Sequence, residues 1–347
     1  MQFSEQILNW YSLNKRDLPW RNNKDPYQIW ISEIILQQTK VIQGLPYYKK
    51  FISVFPTIKH LANAKEDEVL KLWQGLGYYS RARNLCYTAK EIVEKYNCVF
   101  PKDYNNILRL KGIGPYTAAA IISFAYNLPH AVVDGNVIRL LSRYFGISSP
   151  FDTTKGKKKF QLLAQELLIR KESSNYNQAI MEFGSIQCTP RSPNCNICDL
   201  QNECFAFNNN QIHKLPVKKN KIKIRTRYFN FLIISKDNMY LIEKRQKGIW
   251  KGLYQFPVIE FNKRKTKKKI IESDKWRRLT IDPSININKV SRSFKHQLTH
   301  QTIYARFWHL SATNPIIQNA NFILKKDLKN YPIPKLLEKY LKLIGII

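Results

Sequence analysis

Acidic residues are scarce in this chain: 25 Asp and Glu stand against 57 Lys and Arg, a formal charge of +32. A surface so short of carboxylates suits a polyanionic partner, nucleic acid first. Part of the excess has a plainer source, because Lys, Ile and Asn are abundant throughout, and scattered lysines on solvated faces need no ligand. Long apolar runs are also missing. None approaches the roughly 18 residues of a membrane span. The opening segment "MQFSEQILNWYSLNKRDLPW" lacks the apolar core of a secretory signal. The expected setting is therefore the reducing cytoplasm, where the six cysteines are thiols or ligands and not a disulfide framework. Internal repeats are absent.

A chain of 347 residues is long enough for about two domains. Residues 1–205 read almost wholly as helices with short turns. "DPYQIWISEIILQQTKVI" has apolar residues at helical spacing, Asp25 as a cap and Pro26 in the first turn, which predicts a helix over 27–41. "KEDEVLKLWQGLGYYSRARNLCYTAKEIVEKY" gives two helices separated at Gly75–Gly77. "DGNVIRLLSRYFGI" has an Asp cap and apolar residues at 137, 140, 141, 144 and 145. The polar, basic stretch 206–224 reads as a linker. Beyond it, "YFNFLIIS", "MYLIEKR" and "TIYARFWHL" are strand-like, so residues 225–347 form a second, α/β domain. The run "KRKTKKK" at 263–269 reads as a solvated loop, with phosphate contact as the alternative.

Two constellations carry chemistry. In "LKGIGPYTAAAI" (110–121), a hairpin with Gly112 and Gly114 feeds a helix that starts at Pro115. Backbone N–H groups at such a helix start can form a phosphate socket, and glycine permits close approach. A plain helix–helix turn is the alternative. Tyr116 then sits in the first turn of the new helix, an odd place for a polar aromatic. The second constellation is Cys188, Cys195, Cys198 and Cys204, spaced C-x6-C-x2-C-x5-C. Four thiolates in one short loop can enclose a metal centre. Only Cys195 and Cys198 have the close spacing of a structural zinc site, which uses two such pairs, so an iron–sulfur cluster is the better expectation.

Together these features resemble the helix-hairpin-helix DNA glycosylases of the endonuclease III superfamily, and within it the MutY-type adenine DNA glycosylases. The resemblance runs from "LPWR" (18–21) to the last cysteine, through "SEIILQQTKV", "GLGYYSRARNL", "LKGIGPYTA" and "VVDGNVIRLLSR". It implies a mainly α N-terminal region of two helical subdomains with a DNA cleft between them, and a [4Fe–4S] loop at 188–204. It implies that Glu33 protonates the flipped adenine, a role that suits a carboxyl kept protonated among Trp30, Ile34 and Leu36. The resemblance makes Asp134, by itself an ordinary helix cap, the group that stabilises the oxocarbenium-like sugar and attacks it. Asn136 would orient acid and water. Tyr116 stands where bifunctional relatives carry a Schiff-base lysine; a phenol cannot form that imine, so a monofunctional enzyme is expected, with the hydroxyl on Asp134 or the transition state. Leu36, Gln37, Gln38 and Tyr78 match elements that fill the gap left by the flipped base, and Arg21, Gly112 and Gly114 complete the implied DNA contacts. One of Tyr78 and Tyr79 is expected to be a simple core aromatic.

The C-terminal part more weakly resembles the Nudix-like module of the same family, through "KGIWKGLYQFP" and "SFKHQLTH". "FNKRKTKKKIIESDKW" lacks the carboxylates that hold magnesium in Nudix hydrolases, so the module should bind and not hydrolyse. Phe294 and His296 match two of three residues of the 8-oxoguanine recognition loop. Lys295 replaces its serine and puts fine discrimination in doubt. The implied activity is removal of adenine mispaired with 8-oxoguanine or guanine in double-stranded DNA, by a monomer. Rival readings are an endonuclease III-like glycosylase and lyase, a non-catalytic iron–sulfur DNA or redox sensor, and a nucleotide pyrophosphohydrolase.

Overall fold

The computed structural model describes residues 2–220, 224–280, 285–311 and 320–347. Its helices are α1 (Phe3–Asn14), α2 (Pro26–Leu36), α3 (Val41–Val54), α4 (Ile58–Asn63), α5 (Glu66–Leu72), α6 (Ser80–Tyr96), α7 (Tyr104–Arg109), α8 (Pro115–Tyr126), α9 (Gly135–Tyr144), α10 (Thr154–Glu166), α11 (Ser173–Glu182), α12 (Phe205–Asn208), α13 (Lys267–Ile271), α14 (Asp274–Leu279) and α15 (Lys335–Leu343). Strands β1 (Arg225–Lys236), β2 (Met239–Lys244), β3 (Tyr254–Gln255), β4 (Val258–Phe261), β5 (Asn286–Val290), β6 (Phe294–Gln297), β7 (Gln301–Ser311) and β8 (Ala320–Leu324) all fall in the C-terminal part. The chain divides into two compact units: residues 1–63 with 87–221, and residues 64–86 with 222–347.

The first unit is helical. One apolar cluster joins Phe3, Ile7 and Trp10 of α1 to Val137, Leu140 and Leu141 of α9, Phe160 of α10 and Tyr176 and Ile180 of α11. These residues recur at three- and four-residue spacing, so each helix turns one apolar stripe inward. Phe145, expected in that stripe, is instead 40% exposed, because α9 stops at Tyr144. The segment 206–220 is not a free linker: Val217 O accepts from Phe151 N, and Asp152 caps the N–H groups of Lys219 and Asn220.

Local chemistry sets the ends of the helices that matter. Asp25 Oδ1 accepts from Tyr27 N at 2.9 Å and Pro26 occupies the first position, so α2 begins where the sequence predicts. It ends five residues early. Gln38 takes a left-handed φ of 57°, which no helix tolerates, and Thr39 N turns back to Leu36 O. In the hairpin between α7 and α8, Gly112 has φ 83°, a conformation that favours glycine. Among the backbone N–H groups of residues 112–114, that of Ile113 is taken by Leu110 O at 3.1 Å and is not free for a phosphate. A Cβ placed on Gly114 meets nothing within 4 Å, so the turn is open at that point.

The second unit is built on one mixed sheet, ordered β3-β2-β1-β7-β5, with β4 on β1, β6 on β7 and β8 on β2. Long strands β1 and β7 run parallel, with Tyr228 opposite Tyr304 and Trp308 opposite Leu232. One face carries Leu232, Ile234, Trp308 and Leu310 against Ile270 and Trp276 of α13 and α14. The expected loop at 263–269 is partly helical, because Thr266 Oγ1 accepts from Lys269 N and caps α13. The segment 64–86 belongs to this unit through Asp67, which takes Lys244 Nζ at 2.7 Å and Tyr254 Oη at 2.9 Å.

Candidate active site

A cavity of about 750 Å³ in the helical unit is lined by Glu33, Tyr116, Asp134 and Asn136, with Leu36, Gln38, Arg16, Arg21 and Glu182 around them. Three elements deliver the central groups. Glu33 sits on α2 and is 5% exposed despite its charge. Tyr116 sits in the first turn of α8, and the run Thr117–Ala120 behind it is small and buried, which lets α8 lie close to α2. Its hydroxyl donates to Glu33 Oε2 at 2.6 Å. The expectation for the hydroxyl was Asp134 or the transition state; in this structure it meets Glu33. Helix spacing inside α2 and α8 cannot show which carboxylate the phenol meets.

Burial pushes the Glu33 carboxyl up to about 7; the Tyr116 hydrogen bond opposes this, the Asp134 charge adds to it and Arg21 opposes it. A carboxyl at that position holds a proton through much of the neutral range. Tyr116 is itself raised well above its ordinary value by burial and by both neighbouring carboxylates, so it stays a neutral donor.

Asp134 does what its N-cap position predicts. Its Oδ1 accepts from Asn136 N and Val137 N, both at 2.8 Å, while Oδ2 takes Asn136 Nδ2 at 2.7 Å. Burial raises its carboxyl, and these donors together with the Arg139 charge pull it back. Capping does not take Asp134 away from the cavity, because α9 begins at the cavity wall. Asn136 Oδ1 accepts in turn from Arg139 Nη2 at 2.9 Å, and Arg139 Nε donates to Cys188 O at 2.8 Å. Asp134 is thus tied, through two side chains of α9, to the backbone of the first cysteine.

Sequence reading missed Glu182. This residue of α11 is 1% exposed and accepts Arg16 Nε at 2.7 Å and Nη2 at 2.6 Å, with Arg21 Nη1 at 3.0 Å and Nη2 at 2.7 Å. Burial alone would raise its carboxyl, yet the two guanidinium groups hold it at about 2. Arg21, expected to contact DNA, therefore has both amino groups engaged by a buried carboxylate on the cavity wall. Nothing local signals a pair 161 residues apart. Of the remaining expected contacts, Leu36 and Gln38 line the cavity, whereas Gln37 turns aside to Thr117 Oγ1 at 3.3 Å.

The four cysteines of 188–204 line one small cavity with Leu140, Tyr144, Phe183, Leu200 and Ile212. Arg143 clamps the loop: its Nη1 donates to Cys188 Sγ at 3.4 Å and to Thr189 O at 2.7 Å, and its Nη2 to Pro190 O at 3.0 Å. Among the described residues, no three His, Cys, Asp or Glu side chains stand close enough for a single metal ion. Four soft thiols in an apolar enclosure, with a cation at one of them, form a donor set that suits an iron–sulfur cluster.

In the second unit, Tyr78 and His296 line a cavity of about 470 Å³ with Trp250, whose ring lies 6.0 Å from that of His296. The Tyr78 hydroxyl is hydrogen-bonded to Thr299. Tyr79 is the core aromatic of the pair, 6% exposed against 40% for Tyr78. Phe294 does not line this cavity; it packs edge-on against Phe307 and Tyr340.

Comparison with known proteins settles the family. Along 98% of its length the chain is 38% identical to the adenine DNA glycosylase of Buchnera aphidicola subsp. Schizaphis graminum, covering 98% of that protein. The chain belongs to the adenine DNA glycosylases. Residues 31–168 match the HhH-GPD superfamily of base excision DNA repair proteins and residues 230–343 the NUDIX domain. Among solved structures, a thermostable thymine-DNA glycosylase is 31% identical with a TM-score of 0.56, over 60% of this chain and 95% of that one. A trapped endonuclease III–DNA covalent intermediate, 20% identical, has a TM-score of 0.53 over 60% of this chain and 94% of its own, and so shares the fold. The expected architecture, a helical glycosylase region followed by a Nudix-like module, is borne out. An adenine DNA glycosylase is a base excision repair hydrolase that acts on DNA. Among the described residues no helix is long and apolar enough to cross a membrane.

Proposed function

We propose that this chain removes adenine paired with 8-oxoguanine, or with guanine, from duplex DNA by hydrolysing the N-glycosidic bond without cutting the strand. The observation that carries this reading is the convergence of Glu33, Tyr116 and Asp134 on one cavity, with the phenol on the acid. Glu33 donates a proton to the adenine ring, which makes the base a neutral leaving group. Asp134, which accepts from two backbone N–H groups and from Asn136 Nδ2, faces the positive charge that develops on the sugar and, as the carboxylate, attacks its anomeric carbon, as the second carboxylate of a retaining glycosidase does. Asn136 orients the acid and the water that completes hydrolysis. Tyr116 offers no amine, so no imine links protein to sugar and the strand stays intact.

Leu36 and Gln38 at the cavity fill the space the flipped base leaves, and Tyr78 is a further DNA contact. The open turn at Gly112 and Gly114 receives a backbone phosphate. Cys188, Cys195, Cys198 and Cys204 hold a [4Fe–4S] cluster, which braces the loop that follows α11. His296, beside Trp250, reads 8-oxoguanine, and Phe294 braces the strand that carries it. The domain limits of this reading are 1–205, 206–224 and 225–347, and the protein works as a monomer in the cytoplasm. Purified protein incubated with duplexes carrying A opposite 8-oxoguanine, A opposite guanine, and thymine glycol tests the proposal. Release of adenine alone, with strand breaks only after alkali, is expected; processing of thymine glycol would favour an endonuclease III-like activity.

A further inference from the structure

The strand carrying Phe294 and His296 presents one side chain, Lys295, to a second cavity. In β6, side chains alternate, so Lys295 leaves the sheet on the face opposite to its two neighbours. It pairs across the ladder with Tyr304, and Tyr304 lies beside Tyr228 in the parallel register. The two phenol rings stack at 5.5 Å and 16°. Around them lies a cavity of about 350 Å³ whose lining includes Arg264, Lys265, Lys295 and Arg306. Arg306 Nη1 donates to Lys265 O at 3.4 Å, which fastens the basic run 263–269 beside the sheet. Among the described residues, no Asp or Glu lines the cavity.

Four cations around one concavity, with no carboxylate to neutralise them, set up a strong local field for an anion. The volume is of the order that holds a small-molecule ligand, which runs from about 300 to 1,000 Å³. A pair of stacked tyrosines at its wall offers an aromatic face for a base. The floor is committed elsewhere: Asn230 accepts from Trp308 Nε1 at 3.2 Å and donates to Ile259 O at 3.4 Å, so it is held as structure. The cavity therefore recognises its ligand mainly through charge and stacking.

We infer that this cavity is a metal-independent binding site for a nucleotide phosphate, with Arg264, Lys265, Lys295 and Arg306 holding the phosphate oxygens and Tyr228 and Tyr304 bordering the base. The scarcity of carboxylates that rules out magnesium-dependent hydrolysis here is what suits direct binding, because lysine and arginine take over the charge neutralisation a metal would supply. The residues of this site belong to the second unit, whereas those proposed for the excision chemistry belong to the helical unit. The phosphate has two sources, a free nucleoside triphosphate or a phosphodiester of DNA.

The test uses the full chain with EDTA present and three probes: deoxyguanosine triphosphate, inorganic triphosphate and a short undamaged duplex. Arg264→Gln, Lys295→Gln and Arg306→Gln are combined, with Lys295→Gln alone as the variant least able to disturb folding. If free nucleotide is the ligand, the triphosphates bind the wild type and the triple variant weakens them about tenfold or more. If strand phosphates are the ligand, the triphosphates bind poorly, and duplex affinity loses about 0.9 in salt slope for each contact removed. Either result supports the site. Unchanged affinity and salt slope for every probe in both variants would overturn it.

Discussion

The Tyr116 hydroxyl donates a 2.6 Å hydrogen bond to Glu33 Oε2, and this contact joins the helix after the hairpin to the helix that carries the acid. It answers why a polar aromatic occupies the first turn of α8. The phenol is a neutral donor placed on the carboxyl proposed to give up a proton. Removing that donor should change the acid and not merely the packing.

Glu33→Gln should abolish base release and leave duplex binding largely intact, since the amide keeps the shape but has no acidic proton. In the wild type, the single-turnover rate should be level below about pH 7 and fall roughly tenfold per unit above it, because the acid titrates at about 7. A rate that is flat from pH 6 to 9 would remove Glu33 from the role.

Tyr116→Phe tests the hydrogen bond. The phenol lowers the Glu33 carboxyl, so its loss should shift the alkaline limb of the pH profile upward while adenine release persists. Borohydride should trap no covalent complex with the wild type, whereas Tyr116→Lys should gain some trapping and nicking. Efficient trapping by the wild type would make the enzyme a lyase.

Glu182→Gln leaves Arg16 and Arg21 without their buried counter-charge and should cost about 3 kcal/mol of stability, with Arg16, which is about one-third exposed, softening the loss. Its carboxyl lies near 2, below the ordinary 4.5. The wild-type contribution is thus complete above about 4.5 and drains away as pH falls toward 2, a loss Glu182→Gln should not show. Thermal melting of both proteins between pH 7 and 3 checks the sign.

Protein purified without oxygen should be brown and contain about four irons per chain, with broad absorption near roughly 400 nm. Stoichiometric zinc without iron would contradict the cluster. Arg139→Lys should slow adenine release and loosen the cysteine loop together, since a single ammonium cannot replace a planar fork that reaches both Asn136 and Cys188. Iron content and single-turnover rate measured on one preparation decide this.

His296→Ala should reduce the preference for 8-oxoguanine over guanine while sparing excision of adenine opposite guanine. Lys295→Ser should not sharpen that preference, because Lys295 leaves β6 on the face opposite His296. Competition between the two duplexes in one reaction measures both variants.

Much of this protein is legible in one dimension because its determinants are local. Asp25 and Asp134 as caps, Pro26 and Pro115 in first turns, and the spacing of Val137, Leu140 and Leu141 each act within a turn of helix, so the sequence marked these elements, while Glu33 and Tyr116 stood out through the family resemblance. The four cysteines lie within 17 residues and announce a shared ligand by spacing. What the tertiary structure decided involves partners far apart in the chain. It chose Glu33 over Asp134 for Tyr116, assigned Arg21 to Glu182, joined Asp134 to Cys188 through Asn136 and Arg139, and selected Tyr79 over Tyr78 for the core. It also sent Lys295 to the opposite face from His296, which alternation alone permits but only the pairing of β6 with β7 locates. Such contacts depend on where whole helices and strands come to rest, and that is fixed by burying all their apolar faces at once.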